Sequence, residues 1–104
     1  VDTISTTEIK NVHRFLEAVR KRVRLHEAFV YGSYARGNQK EWSDIDLAVV
    51  SPDFSSDLFE ERIALMILAA QIDDRIEPHP FRPEDFHVQD PLVDEIRRSG
   101  LRVA

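Results

Sequence analysis

Two aspartates stand one residue apart in the stretch Ser43-Asp44-Ile45-Asp46-Leu47-Ala48-Val49-Val50. In an extended chain Asp44 and Asp46 point to the same face, roughly 6–7 Å apart at Cα. Two carboxylates that close repel each other unless a cation or a donor lies between them. Hard divalent ions such as Mg²⁺ take oxygen ligands, and commonly combine one or two protein carboxylates with phosphate oxygens of a substrate. The bland alternative is that Asp44 caps a turn and Asp46 pairs with an arginine. A dozen residues upstream, Gly32-Ser33 follows a short apolar run. Glycine there lets successive backbone N–H groups approach an anion, and the Ser33 hydroxyl adds a donor. Alone, Gly-Ser is usually just a turn. Beside an acidic pair it offers a place for phosphate next to a place for the metal that bridges phosphates.

The elements that must position these residues follow from periodicity. Ser5 and Glu8 fit a capping box, and Ile9, Val12, Leu16, Val19 and Val23 then recur on one helical face, predicting a helix to Leu25 or His26. Glu27 to Tyr31 reads as a strand ended by Gly32, Tyr34 to Gly37 as a brief helical turn, and Asn38 to Ser43 as a loop. Asp44 to Val50 is the clearest strand, with Ile45, Leu47 and Val49 on one face and Asp44, Asp46, Ala48 and Val50 on the other. Asp57, followed by Glu60, caps a helix running to about Ile72. Its apolar residues cover nearly the whole circumference from Ile63 onward, so it is expected to be the most buried helix, with Met66 as core filler.

Arg75 to Phe81 is a third strand. Pro78 and Pro80 remove donors from one side only, making it an edge strand whose remaining donors, at Glu77 and His79, face a single neighbour. Pro83 and Pro91 each mark a first helical position, Gly100 is a helix stop, and Leu101 and Val103 are expected to pack back on the domain. The result is an α/β (α+β) fold: a small mixed sheet of three to four strands with helices packed on one face. The connection of about a dozen residues between the first two strands leaves parallel and antiparallel pairing open.

Composition sets the outer limits. With 104 residues, 42% hydrophobic and 32% charged, the chain is expected to be a single domain over 1–104 with a small core. A net charge of −5 argues against a protein devoted to gripping nucleic acid, although direct nucleic-acid contact is left open. Arg14, Arg20, Lys21, Arg22 and Arg24 read as a solvated helix face, or as a surface for an acidic partner or RNA. No apolar run reaches the roughly 20 residues of a membrane span, and no signal peptide is expected ahead of the first helix. The absence of cysteine fits the cytoplasm.

Gly32-Ser33-Tyr34-Ala35-Arg36-Gly37 and Ser43-Asp44-Ile45-Asp46-Leu47 together resemble the signature of the DNA polymerase β-type nucleotidyltransferase superfamily. The short length and the Ala-Arg-Gly after the serine resemble its minimal nucleotidyltransferases, small prokaryotic proteins often paired as antitoxins with helical HEPN-domain toxins. The resemblance implies a nucleoside triphosphate, ATP above all, held by Gly32, Ser33 and Arg36. It implies two Mg²⁺ ions bound by Asp44, Asp46 and a third carboxylate from the next strand, with the three carboxylates as the catalytic set. Glu77 is the choice for that third ligand, although many relatives carry aspartate there; Asp73 and Asp74 are rivals at the preceding turn, where capping explains them. Transfer of AMP or another nucleotide to a protein or RNA hydroxyl is the implied reaction, with activity that can depend on a partner protein. The alternative is a non-catalytic antitoxin that neutralises its partner by complex formation, as a homo- or hetero-oligomer. Tyr34 and Trp42 could stack on a base or pack locally. His79 shares a face with Glu77, while His13, His26 and His87 show no metal-ligand spacing.

Overall fold

The computed structural model describes residues 6–32 and 44–104. The Ser5 cap, the Tyr34–Gly37 turn, the following loop, and the candidates Ser33, Tyr34, Arg36 and Trp42 lie outside the described residues. The elements run α1 (Thr6–Arg20), β1 (Glu27–Tyr31), β2 (Ile45–Val50), α2 (Leu58–Ala70), β3 (Ile76–Phe81), a 3-10 turn (Pro83–Asp85), α3 (Pro91–Ser99) and β4 (Leu101–Arg102). The sheet order is β3-β2-β1-β4. β1 pairs antiparallel with both β2 and β4, and β2 pairs parallel with β3. The pairing left open by the sequence is therefore antiparallel between β1 and β2, in a four-stranded mixed sheet.

Alternation along β2 sorts the core into two halves. Ile45, Leu47 and Val49 face α1 and α2, where they meet Val12, Phe15, Leu16, Val19, Leu65 and Ala69. Ala48 and Val50 face the other way and meet Phe29, Phe86 and the α3 residues Val93 and Ile96. The expectation of helices on one face thus describes α1 and α2. The amphipathic α3, set by Pro91 at its first turn and Asp90 accepting from the Leu92 N–H, covers part of the second face.

β3 occupies the sheet edge, as its prolines require. The Ile45 N–H donates to the Arg75 carbonyl and the Ser51 N–H to the Phe81 carbonyl. Odd-numbered residues of β3 therefore turn their polar groups toward β2, and the donor-less nitrogens of Pro78 and Pro80 turn outward.

Two expectations are corrected. α1 ends at Arg20 rather than near His26. Asp53 takes the Arg24 backbone N–H at 2.8 Å and clasps its guanidinium, diverting the chain from the helical path. α2 is not the most buried helix: only Leu65 and Ala69 are buried, while Phe59, Ile63, Met66 and Ile67 are exposed. One stripe of this helix suffices to close a sheet this small, so the rest of its apolar circumference faces outward, Met66 included. The Asp57 cap stands as expected, accepting from the Glu60 N–H. Gly100 stops α3 with an extended backbone; a Cβ there would lie 2.3 Å from the Ile96 carbonyl oxygen. The chain then forms β4 beside β1.

Candidate active site on the open half of the sheet

Beyond the reach of α3, the second face of the sheet carries a row of polar residues across three strands. Tyr31 on β1 is paired with Asp46 on β2, and Asp46 is paired with Glu77 on β3. Register partners share a face and lie about 4.8 Å apart between strands. His79, two residues beyond Glu77, faces the same way, with its Nε2 3.6 Å from an Asp46 carboxylate oxygen and its ring 5.8 Å from that of Tyr31. Arg62 enters from α2 around the β3 edge, its guanidinium 3.4 Å from Glu77 Oε2.

Gly32 closes β1 with φ +74°, in the left-handed region that favours glycine. Space demands glycine as well: a Cβ would stand 2.6 Å from Asp46 Oδ2. The chain's bend is therefore pressed directly against the carboxylate, and the residue expected to cradle phosphate abuts one expected to hold metal.

Electrostatics mark the row as a shared field. Burial raises the Tyr31 hydroxyl well above the ordinary phenol range, and the negative charge of Asp46 pushes in the same direction. Burial lowers the His79 imidazole, and the nearby Arg62 charge lowers it further against the pull of Asp46. Both groups are thus biased towards their neutral forms beside two carboxylates.

Of the expected site residues, the structure brings Gly32, Asp46 and Glu77 together. Asp44 stands exposed one residue ahead of β2. Asp73 accepts hydrogen bonds from Arg75 and Asn11, and those from Arg75 hold its carboxyl below the usual range. Asp73 also accepts from the Arg75 backbone N–H at 3.0 Å, which is a cap of the turn. Among the described residues no three acidic or histidine side chains form a group that could hold a metal ion. The donor chemistry nonetheless suits Mg²⁺: two carboxylates on adjacent strands at one register level supply hard oxygens on a common face.

Tyr31 and Arg62 were not among the expected site residues. Tyr31 shares its face with Phe29 and directly precedes Gly32, which places it at the mouth of any site built on that bend. Arg62 is the one basic residue in the α2 sequence LFEERIALMILAA. Its reach across the sheet edge is a tertiary fact that helical periodicity does not carry.

No curated protein matches the chain by sequence. A crystal structure of a toxin–antitoxin with AMP-PNP superposes with a TM-score of 0.63 at 22% identity, covering 90% of this chain and 70% of the other. A mutant form of the toxin–antitoxin MntA-HpeT, with two aspartates two positions apart replaced by glutamates, gives 0.62 at 20%, covering 90% and 70%. A Sulfolobus solfataricus protein described as a nucleotidyltransferase gives 0.63 at 20%, covering 90% and 77%. At such identities the likeness concerns the fold. Among the described residues no helix is long and apolar enough to cross a membrane. The nucleotidyltransferase domain family matches residues 12–102, nearly the whole length, and the chain belongs to that family.

Proposed function

We propose that residues 1–104 act as a minimal Mg²⁺-dependent nucleotidyltransferase that moves AMP from ATP to a hydroxyl of a protein or RNA. Its proposed setting is the cytoplasm, as the antitoxin of a HEPN-type helical protein. The observation that carries the chemistry is the registered pair Asp46–Glu77 with Gly32 pressed against Asp46. Support for the nucleotide comes from the AMP-PNP complex of one structural relative, and support for the pairing from the toxin–antitoxin relatives.

In this reading Asp44, Asp46 and Glu77 would hold Mg²⁺, and Gly32, Ser33 and Arg36 would hold the triphosphate. The bound ions would stabilise the attacking and leaving oxygens around the α-phosphorus as pyrophosphate departs. The chain itself supplies position. The β2–β3 ladder fixes Asp46 against Glu77, and the bend at Gly32 sets the phosphate-binding backbone beside them. No nucleophilic side chain is required, because the acceptor brings the hydroxyl. Tyr31, kept neutral, can donate a hydrogen bond without adding a third negative charge to the row.

The test is transfer of label from ATP to the purified partner in Mg²⁺. Asp46→Asn is expected to reduce it by about 100-fold or more, with the fold retained by circular dichroism. Undiminished transfer in that variant removes the assignment.

A binding-only antitoxin is the second reading, and one observation favours it: Glu77 already has a cationic partner in Arg62. Substituting Asp44, Asp46 and Glu77 together separates the two. Neutralisation of the toxin that survives the triple change makes binding the function; loss of neutralisation with complex formation intact makes it transfer.

A further inference from the structure

We infer that Arg62 is a built-in counter-ion for the carboxylate pair, competing with the divalent cation for Glu77 and so weakening metal binding until the cation displaces it. This inference rests on the metal-site reading of Asp46 and Glu77 given above.

Asp46 and Glu77 share a register level on adjacent strands and face the same way, so their negative charges meet at close range. Among the described residues, Arg62 is a permanent cation at hand to offset that repulsion when no metal is bound, because guanidinium stays charged at any working pH.

The manner of holding distinguishes Arg62 from the structural arginines. Arg24 grips Asp53 at 2.8 Å, Arg97 grips Glu27 at 2.9 Å, and Arg75 grips Asp73 at 3.0 Å, each through more than one hydrogen bond. Arg62 reaches Glu77 at 3.4 Å, and its Nε is buried without a hydrogen-bond partner among the described residues. Its side chain is 41% exposed and that of Glu77 30%. Among the described residues, one long contact at a half-open position leaves the fork of guanidinium donors incompletely used. It neutralises charge without locking geometry, and the flexible stem lets the head swing away from β3. A divalent ion brings twice the charge and accepts carboxylate oxygen directly, so it can take Glu77 from Arg62 at modest cost.

The experiment measures Mn²⁺ binding to the full chain without nucleotide, by electron paramagnetic resonance, for the wild type, Arg62→Met, Arg62→Gln and Arg62→Lys. Loss of the competing charge is expected to tighten Mn²⁺ about threefold or more in both neutral variants, while the lysine variant stays near the wild type. Metal-free Arg62→Met is also expected to melt below the wild type, with Mn²⁺ restoring more of its Tm than it adds to the wild type. Unchanged or weaker Mn²⁺ binding in the neutral variants overturns the inference, as does a lysine variant that binds as tightly as they do. Glu77→Gln distinguishes failure of the counter-ion role from failure of the metal site itself. If it abolishes Mn²⁺ binding while the Arg62 variants have no effect, only the counter-ion role falls. If it leaves Mn²⁺ binding intact, the metal-site reading falls with it.

Discussion

The two faces of the sheet are built from the same strands by the same alternation, yet they end in opposite states. The face under α1 and α2 is sealed: Val12, Phe15, Leu16, Ile45, Leu47 and Val49 are all fully buried. The other face is sealed only where α3 and Phe86 reach it, and beyond Ala48 it opens into Tyr31, Asp46, Glu77 and His79. Asp46 lies between Ile45 and Leu47, both inaccessible to solvent, while its own side chain is 35% exposed. The sealed face supplies stability, which the open half can then spend on close-set like charges.

Substitutions should respect that division. Leu16→Ala, on the sealed face, is expected to cost about 3 kcal/mol in urea unfolding, with activity per folded molecule unchanged. A cost below about 1 kcal/mol would mean the face is not packed as described. Gly32→Ala, at the open end, is expected to cost about 1–2 kcal/mol through its left-handed backbone and the collision with Asp46. Its larger consequence should be a fall of at least about tenfold in nucleotidyl transfer, because the Asp46 carboxylate must move. A change that altered stability alone would detach the bend from the site.

Asp53→Asn probes a surface contact outside both faces. Hydrogen bonds from Arg24 hold the Asp53 carboxyl at about 2, below the ordinary 3.8. The folded value lies below the unfolded one, so the stabilisation is complete above pH 4 and is lost as pH falls towards 2. Asp53→Asn should therefore melt earlier than the wild type at pH 7, with the gap shrinking steeply between pH 4 and pH 2; a gap as wide at pH 2 as at pH 7 would assign the effect to something other than ionisation. The smallest effect is expected on the outward side of α2. Ile67→Gln should change stability by no more than about 0.5 kcal/mol, whereas Leu65→Ala, two residues earlier on the inward side, should cost about 2 kcal/mol or more.

Local chemistry made much of this legible in advance. β1 appears with the boundaries that its apolar run and Gly32 imply, and β2 shows the face assignment that alternation requires. The proline nitrogens of β3 identified the sheet edge, and Asp57 and Asp90 cap the helices that follow them. What escaped was set by distant partners. α1 closes its last turn through the Lys21 and Arg22 N–H groups to Ala18 and Val19, and beyond it the Arg24 N–H goes to Asp53, 29 residues away, instead of to a helical carbonyl. α2 has enough apolar residues for burial on all sides, but burial depends on how much surface the neighbours offer, and that quantity is absent from a helical pattern. Among the candidate site residues, Gly32, Asp46 and Glu77 were expected from spacing and resemblance, whereas the convergence of Arg62 and His79 on the carboxylates required the sheet register.

The proline-edged β3 has a further consequence for the company the molecule can keep. An open sheet edge is normally a template on which another strand, including one from an identical chain, can grow. Pro78 and Pro80 present no donor there, so the strand carrying Glu77 cannot nucleate such growth. At the opposite edge β4 is two residues long, too short to serve as a template in its place. Neither border of the sheet invites self-templated extension, and the strand most exposed at the site is the one best protected against aggregation.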